Sequence, residues 1–268
     1  NPPLDARMDA LVAEGCGEMI LVMPDCATRY GGSQYLDSSA TGRYETHLVA
    51  ELVPFVDRTF RTLAASEHRG VLGKSSGGYG ALVQGMRHPE VFGAVACHSG
   101  DMYFEYCYRG DVPKFCACVQ NAGGLAKWLA EFESAHQKKH EDLVAINILG
   151  MAAAYSPNPA TMPFGTDLPC DLDTGAFRED VWQRWLAQDP IQLLEQHAEA
   201  LRTMKLLFLD CGIRDEWHLH LGARLLVRRL AGLGIRHEVE EFDDGHMNVQ
   251  YRYDVSLPKL ARALGAQN

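Results

Sequence analysis

The sequence lacks an apolar run long enough to cross a bilayer. A membrane-spanning helix needs about 18 or more consecutive apolar residues, and no stretch of the 268 residues supplies them. The sequence also lacks a block of Lys and Arg, and its formal net charge is −10. Nucleic-acid binders usually carry a basic patch, and an anionic membrane surface repels an acidic protein. We therefore expect neither nucleic acid nor a membrane as a partner.

A disulfide framework and a signal peptide are missing as well. The eight cysteines do not follow the spacing of a small disulfide-stapled scaffold. Several lie in apolar runs, where a free Cys behaves as a small hydrophobic residue. No leader pattern precedes the first helical segment. These features favour a reducing, cytoplasmic location, although Cys107 and Cys116 could pair in an oxidising one.

What remains is an ordinary globular composition, with 47% apolar and 22% charged residues. Short apolar runs predict strands near residues 19–23, 70–73, 91–97, 205–210 and 237–242. Helical periodicity predicts helices near 4–12, 48–60, 77–88, 217–233 and 255–264. Strands that alternate with helices predict an α/β fold, with a mainly parallel sheet covered by helices on both faces. Residues from about 101 to 201 show no strand pattern, which predicts an inserted cap in one domain spanning 1–268.

The clearest chemical signal is the pentapeptide Gly73-Lys74-Ser75-Ser76-Gly77, a G-x-S-x-G pattern. An apolar strand precedes it and a helix follows, as a nucleophile on a tight strand-to-helix turn requires. The glycines leave room for the strained backbone, and the helix N-terminus directs N–H groups towards an oxyanion. The pattern makes Ser75 the candidate nucleophile.

Two other interpretations of this loop are weaker. A phosphate-binding loop needs a glycine five residues before Gly73, but that position is His68. A plain structural turn would also contain glycine and serine. Neither alternative predicts the acid and base that are found later in the chain.

A nucleophilic serine needs a histidine base and an acid that orients it, in the chain order Ser, Asp or Glu, His. Asp210 and Asp215 both follow the predicted strand at 205–210. We favour Asp215, because it lies on the turn beyond Gly212, whereas Asp210 at the strand end fits a structural role. His246 directly follows the last predicted strand and is the candidate base.

Metal ligation has little support in the sequence. His136 and His140 have helical ligand spacing, but two lysines separate them and the glutamate of a zinc protease is absent. A surface helix is the better interpretation. Cys116 and Cys118 form a lone C-x-C without a second pair. These spacings therefore do not predict a metal site.

Several segments together resemble the Putative esterase branch of the α/β hydrolases, which includes S-formylglutathione hydrolases, enterochelin-esterase-like proteins, feruloyl esterases and mycolyltransferases. The segments are residues 52–57, 73–80, 87–93, 210–215 and 245–246. The resemblance implies an α/β-hydrolase fold and a Ser75–His246–Asp215 triad, with no metal and no organic cofactor. It also implies that the N–H of Ser76 donates to the oxyanion.

One departure from that family concerns the beginning of the chain. Family members usually have a further strand and a glycine-rich loop ahead of the first helix, and this loop gives the second oxyanion donor. Both appear absent before Asn1, so we expect an N-terminal segment of the natural protein to be missing from this sequence. Otherwise the second donor has to come from elsewhere, such as the loop at 25–35.

The sequence therefore predicts a serine carboxylesterase that hydrolyses small-molecule esters, small or aryl, through an acyl-enzyme. Candidate residues of the substrate pocket are Lys74, Tyr79, Tyr103 and Trp217. Two alternatives are an acyltransferase, in which an alcohol replaces water, and a non-catalytic binding domain. The oligomeric state is left open and includes a homo-oligomer.

Overall fold

The computed structural model describes residues 2–266, which form two compact units. Unit 1 contains residues 2–24, 47–103 and 190–266 of the described chain, and unit 2 contains residues 25–46 and 104–189. The strands are β1 (Ala27–Thr28), β2 (Gly31–Gly32), β3 (Asp37–Ser38), β4 (Gly42–Arg43), β5 (Gly70–Lys74), β6 (Ala94–His98), β7 (Leu206–Gly212) and β8 (Glu238–Phe242). The helices are α1 (Leu4–Ala13), α2 (Tyr44–Thr46), α3 (Val53–Thr59), α4 (Ser76–Arg87), α5 (Phe104–Cys107), α6 (Val112–Ala122), α7 (Leu125–Ser134), α8 (His140–Tyr155), α9 (Glu179–Leu186), α10 (Pro190–Leu193), α11 (Ala198–Arg202), α12 (Leu219–Gly232) and α13 (Tyr253–Leu264).

The core of unit 1 is a four-stranded sheet in the order β5-β6-β7-β8, with every neighbouring pair parallel. The two central strands, β6 and β7, are buried along their whole lengths, as expected for parallel strands that are covered on both faces. β8 forms one edge and is rich in glutamate, which discourages pairing with a further strand. The parallel registry brings the carboxyl ends of all four strands to the same edge of the sheet.

Helices cover both faces of this sheet, as the sequence predicts. On one face, α13 packs through Leu260 onto the side chains of Ala94, Ala96 and Phe208. On the opposite face, α4 lies so close to β6 that a Cβ at Gly85 would collide with Val95. Alternate residues of β6 thus face opposite helical layers, which is the arrangement of an α/β fold.

The strand predicted at residues 19–23 is wrong. This segment has no regular secondary structure and forms no ladder with any described strand. Met19 and Leu21 pack against the cluster between α1 and α13, whereas Ile20 is 50% and Val22 is 45% exposed. Burial alternates over residues 19–22, as in a half-buried strand. A strand also needs a hydrogen-bonding neighbour, and no described strand pairs with this segment.

The predicted helix at 48–60 changes its winding just before Pro54. A π-helical turn covers His47–Leu52 and passes directly into α3. Pro54 lies in the first turn of α3 and has no N–H to donate to a preceding carbonyl. The hydrogen-bond register therefore changes just before the proline.

Unit 2 is mainly helical and contains most of the predicted cap. Its helices are α2 and α5–α9, and two short antiparallel pairs, β1–β2 and β3–β4, lie between residues 27 and 43. Tyr30 and Ser38 of this segment contact α8: the Ser38 hydroxyl donates to the carbonyl of Ala153. The description of residues 101–201 as a cap inserted into a single domain stays a prediction. No helix among residues 2–266 has the length and apolarity needed to cross a bilayer.

Candidate active site

The candidate nucleophile lies on a sharp turn between β5 and α4. Ser75 has φ 59° and ψ −126°, a strained conformation for a residue that is not glycine. Its N–H donates to the carbonyl of His98 at 2.9 Å, which ties the turn to the end of β6. A Cβ at Gly73 would collide with the backbone of Gly77, so a larger residue cannot occupy this position. The turn lifts the Ser75 side chain out of the sheet, where it is partly exposed.

The residue after Ser75 begins a helix. Ser76 is the first residue of α4, so its N–H belongs to the first turn, where amides have no acceptor within the helix. The partial positive charge of the helix N-terminus adds to the attraction for an anion. Ser76 N–H is therefore available as a donor beside the Ser75 hydroxyl.

His246 connects the serine to a carboxylate. Its Nε2 lies 2.9 Å from the Ser75 Oγ, and its Nδ1 lies 2.7 Å from the Asp215 Oδ2. A carboxylate only accepts hydrogen bonds, so Nδ1 carries the proton and Nε2 accepts from the serine hydroxyl. His246 is 4% exposed, and the indole of Trp217 packs edge-on against its ring with centroids 4.7 Å apart. The imidazole is thus held in one orientation and one tautomer.

Asp215 lies on the turn after β7, where both oxygens of its carboxylate accept hydrogen bonds. Its Oδ1 accepts from the N–H groups of Trp217 and Leu219, at 3.0 and 3.4 Å. Its Oδ2, which faces His246, also receives the thiol of Cys211 at 3.8 Å. Burial raises the pKa of that thiol, so it stays protonated and donates. The carboxylate is 2% exposed and fixed by four groups.

Asp210, the competing acid, belongs to a separate buried network. Its Oδ1 accepts from Nδ1 of His98 at 2.8 Å, and its Oδ2 accepts from Nε of Arg252 at 2.8 Å. The other ring nitrogen of His98 lies 2.8 Å from the hydroxyl of Ser256. This network contains a Ser-His-Asp sequence of contacts, but Ser256 is fully buried. It holds the end of β6, whose carbonyl in turn holds the Ser75 N–H.

A glutamate fixes the loop that carries the base. The N–H of His246 donates to Oε2 of Glu216 at 2.7 Å, a contact across 30 residues of chain. Gly245 makes this approach feasible, because a Cβ there would lie 2.7 Å from Oε1 of the same glutamate. Glu216 follows Asp215 directly, so one turn positions both the side chain and the backbone of His246.

The four predicted pocket residues all lie in unit 1. Lys74 ends β5, and burial lowers the pKa of its ammonium group against the attraction of Asp215, Asp101 and Glu216. Trp217 contacts the base, as described above. Tyr103 has a positive φ of 60° and follows the turn after β6, and Tyr79 is fully buried within α4, a core position. Their contact with substrate stays a prediction.

Comparison with known proteins identifies the family of this chain. The model of the family described as "Putative esterase" matches residues 17–255. The chain belongs to this family. The description of the family is that of an esterase, an enzyme that acts on carboxylic esters.

The relatives of this esterase family member are distant. Esterase Rv1288 of Mycobacterium tuberculosis is 36% identical over 83 residues, which cover 31% of this chain and only 18% of that protein. A ferulic acid esterase structure has a TM-score of 0.59 at 20% identity and covers 96% of this chain and 76% of its own. An S-formylglutathione hydrolase from Agrobacterium tumefaciens has a TM-score of 0.50 at 18% identity, with 93% and 71% covered. At such identities these structures show the shared α/β-hydrolase fold.

Sequence reasoning missed three contributors to the site of this esterase. Cys211 lies in the segment that suggested Asp215, but a thiol contact to the triad acid has no sequence signature. Glu216 acts through a backbone N–H 30 residues away. His98 ends β6, a strand that the sequence predicts from its apolar residues alone. For Glu216, the sequence offered one hint: it directly follows the candidate acid Asp215.

We expect removal of the Glu216 carboxylate to slow the chemical step. In Glu216→Ala the His246 loop loses its anchor, and small misplacement of a base costs rate steeply. We expect kcat to fall by roughly 10-fold to 100-fold with KM almost unchanged. Glu216→Gln keeps an oxygen acceptor at the same place and should restore most of kcat.

Asp243→Ala is the matched control for this test. Asp243 is an exposed carboxylate in the same loop and contacts Arg214 instead of His246. Steady-state kinetics of an activated ester, with circular dichroism to confirm folding, compare the variants. Equal kcat in Glu216→Ala and the wild type would remove Glu216 from the positioning of His246.

Proposed function

We propose that this chain is a serine carboxylesterase that hydrolyses small or aryl esters through a Ser75–His246–Asp215 triad and an acyl-enzyme. The observation that carries the proposal is the unbroken hydrogen-bond relay, with 2.9 Å from Ser75 Oγ to His246 Nε2 and 2.7 Å from Nδ1 to Asp215 Oδ2. Both distances lie in the range for a nucleophile, its base and the group that orients the base.

The first half-reaction is acylation. His246 Nε2 takes the proton as Ser75 Oγ attacks the ester carbonyl, and negative charge develops on the carbonyl oxygen. The Ser76 N–H donates to this oxyanion from the first turn of α4. Asp215 stabilises the imidazolium, which then protonates the departing alcohol. The product is an ester of the acyl group with Ser75.

The second half-reaction is deacylation by water. His246 takes a proton from water as the water oxygen attacks the acyl carbon, and the same oxyanion donors act again. The proton returns to Ser75 Oγ as the carboxylic acid leaves. The second oxyanion donor, expected from a glycine-rich loop or from the loop at 25–35, stays a prediction.

Hydrolysis of a p-nitrophenyl ester series, from acetate to decanoate, tests this function. We expect turnover of the short esters well above the spontaneous rate, and the dependence on chain length measures the acyl site. Discrimination by an apolar pocket is limited to about 1–3 kcal/mol per methylene. Absence of turnover throughout the series, in folded protein, would contradict the proposal and favour a binding domain.

The same assay separates hydrolysis from acyl transfer. Addition of a small alcohol supplies an acceptor that competes with water for the acyl-enzyme. For an esterase we expect the free acid as the main product at moderate alcohol concentration. A main product that is the ester of the added alcohol would assign the chain as an acyltransferase.

A further inference from the structure

Two buried thiols of unit 2 touch each other. The sulfur atoms of Cys116 and Cys170 are 3.7 Å apart, and the two residues are 5% and 3% exposed. Cys116 lies in α6, and Cys170 pairs with Phe177 in an isolated antiparallel bridge. The sequence suggested Cys107 as the partner of Cys116, but the thiol found against Cys116 is that of Cys170, 54 residues away.

Other contacts hold the two elements at this distance. The amide of Gln120, one turn along α6, donates to the carbonyls of Leu172 and Asp173 at 2.6 and 2.8 Å. The guanidinium of Arg109 lies 4.4 Å from the ring centre of Phe177, on the far strand of the bridge. The loop at 171–174 is closed by hydrogen bonds to the Asp171 carboxylate. The thiol pair thus sits between two fixed surfaces.

We propose that Cys116 and Cys170 form a disulfide that joins α6 to the 170–177 bridge. The sulfur atoms need to approach by roughly 1.7 Å to reach the bond length of a disulfide, about 2.0 Å, which is within the range of small side-chain rotations. The reaction is exchange with a small-molecule disulfide such as glutathione disulfide. Two thiols lose two protons and two electrons, one S–S bond forms in the protein, and the small disulfide is reduced to two thiols.

The bond forms as the chain folds, before the pair is enclosed. Burial raises the pKa of the Cys170 thiol, so this thiol is seldom in the reactive thiolate form once the protein is folded. The same enclosure protects the finished bond from reduction. A metal is not required by this pair, because no group of three or more Cys, His, Asp or Glu side chains among residues 2–266 is arranged to hold one.

Refolding in a reduced and oxidised glutathione buffer, followed by tryptic digestion without reductant, tests the proposal. Cleavage is expected after Lys114, Lys127, Lys139 and Arg178, which places Cys116 in peptide 115–127 and Cys170 in peptide 140–178. We expect these two peptides to be joined, with a mass lower by two hydrogens than their sum. Oxidised protein should also melt roughly 5–15 °C above reduced protein, because the bond closes a long loop.

Peptide 115–127 also contains Cys118, so Cys118→Ser is the matched control. This variant should keep the joined peptides and the melting shift, whereas Cys116→Ser and Cys170→Ser should lose both. Two results on folded wild-type protein would overturn the proposal. One is the absence of the joined peptides after oxidative refolding, and the other is a bond from Cys116 to Cys107 or to any other cysteine.

Discussion

Ser75→Ala should lose activity by a factor of about 10³ or more in kcat/KM towards p-nitrophenyl acetate. The variant keeps the Ser76 N–H and the base but has no oxygen to attack the carbonyl. The residual rate then comes from bound water and the oxyanion donor alone. Removal of a partly exposed hydroxyl from the turn should leave the melting temperature nearly unchanged.

Ser134→Ala is the control for this experiment. Ser134 is an exposed serine at the end of α7, and its hydroxyl bonds only a local carbonyl, that of Glu131. This variant should match the wild type in rate and stability. Equal rates in Ser75→Ala, Ser134→Ala and an active wild type would remove Ser75 as the nucleophile.

Asp215→Asn should lower kcat by about 10³–10⁴ while the protein stays folded. The amide keeps the size of the carboxylate, but its NH₂ group cannot accept the Nδ1 proton of His246. The imidazole then adopts the tautomer with a proton on Nε2, which faces Ser75 and cannot act as base. The substitution also removes the charge that stabilises the imidazolium.

Asp210→Asn provides the opposite result and decides between the two acids. Asp210 bonds His98 and Arg252 in a buried network outside the triad. Its substitution should lower the free energy of unfolding by about 3 kcal/mol, because it leaves a buried guanidinium with one fewer charged partner. Activity per folded molecule should fall far less than in Asp215→Asn. A larger loss of kcat in Asp210→Asn would reverse the assignment.

The three residues of the proposed triad could be predicted from the sequence because each follows a local rule. Ser75 lies in a pentapeptide whose glycines are required by the turn itself. Asp215 and His246 follow predicted strands, and parallel strands bring their carboxyl ends to one edge of the sheet. The sequence favours Asp215 over Asp210 because Gly212 separates Asp215 from the predicted strand at 205–210. In the structure Asp215 faces His246, while Asp210 faces His98.

What the sequence could not predict depends on contacts between distant segments. The apolar run at 19–23 has the pattern of a strand, but pairing is a property of its neighbours. The Glu216 contact to the His246 N–H and the Cys116–Cys170 pair join residues 30 and 54 positions apart. Local spacing suggested Cys107 as the partner of Cys116 instead. Such contacts are set by how helices and turns pack, and a single sequence carries no local record of them.

Trapping of the acyl-enzyme tests directly whether Ser75 is the nucleophile that receives the acyl group. The protein is mixed with p-nitrophenyl acetate, quenched in acid within the first turnover and digested with trypsin, which releases Ser75 in peptide 75–87. We expect one acetyl group per chain, which fragmentation of the peptide assigns to Ser75. The acetyl group should be absent from Ser75→Ala. An acetyl group on another residue, or turnover of the ester with no acetylated peptide at any quench time, would contradict it.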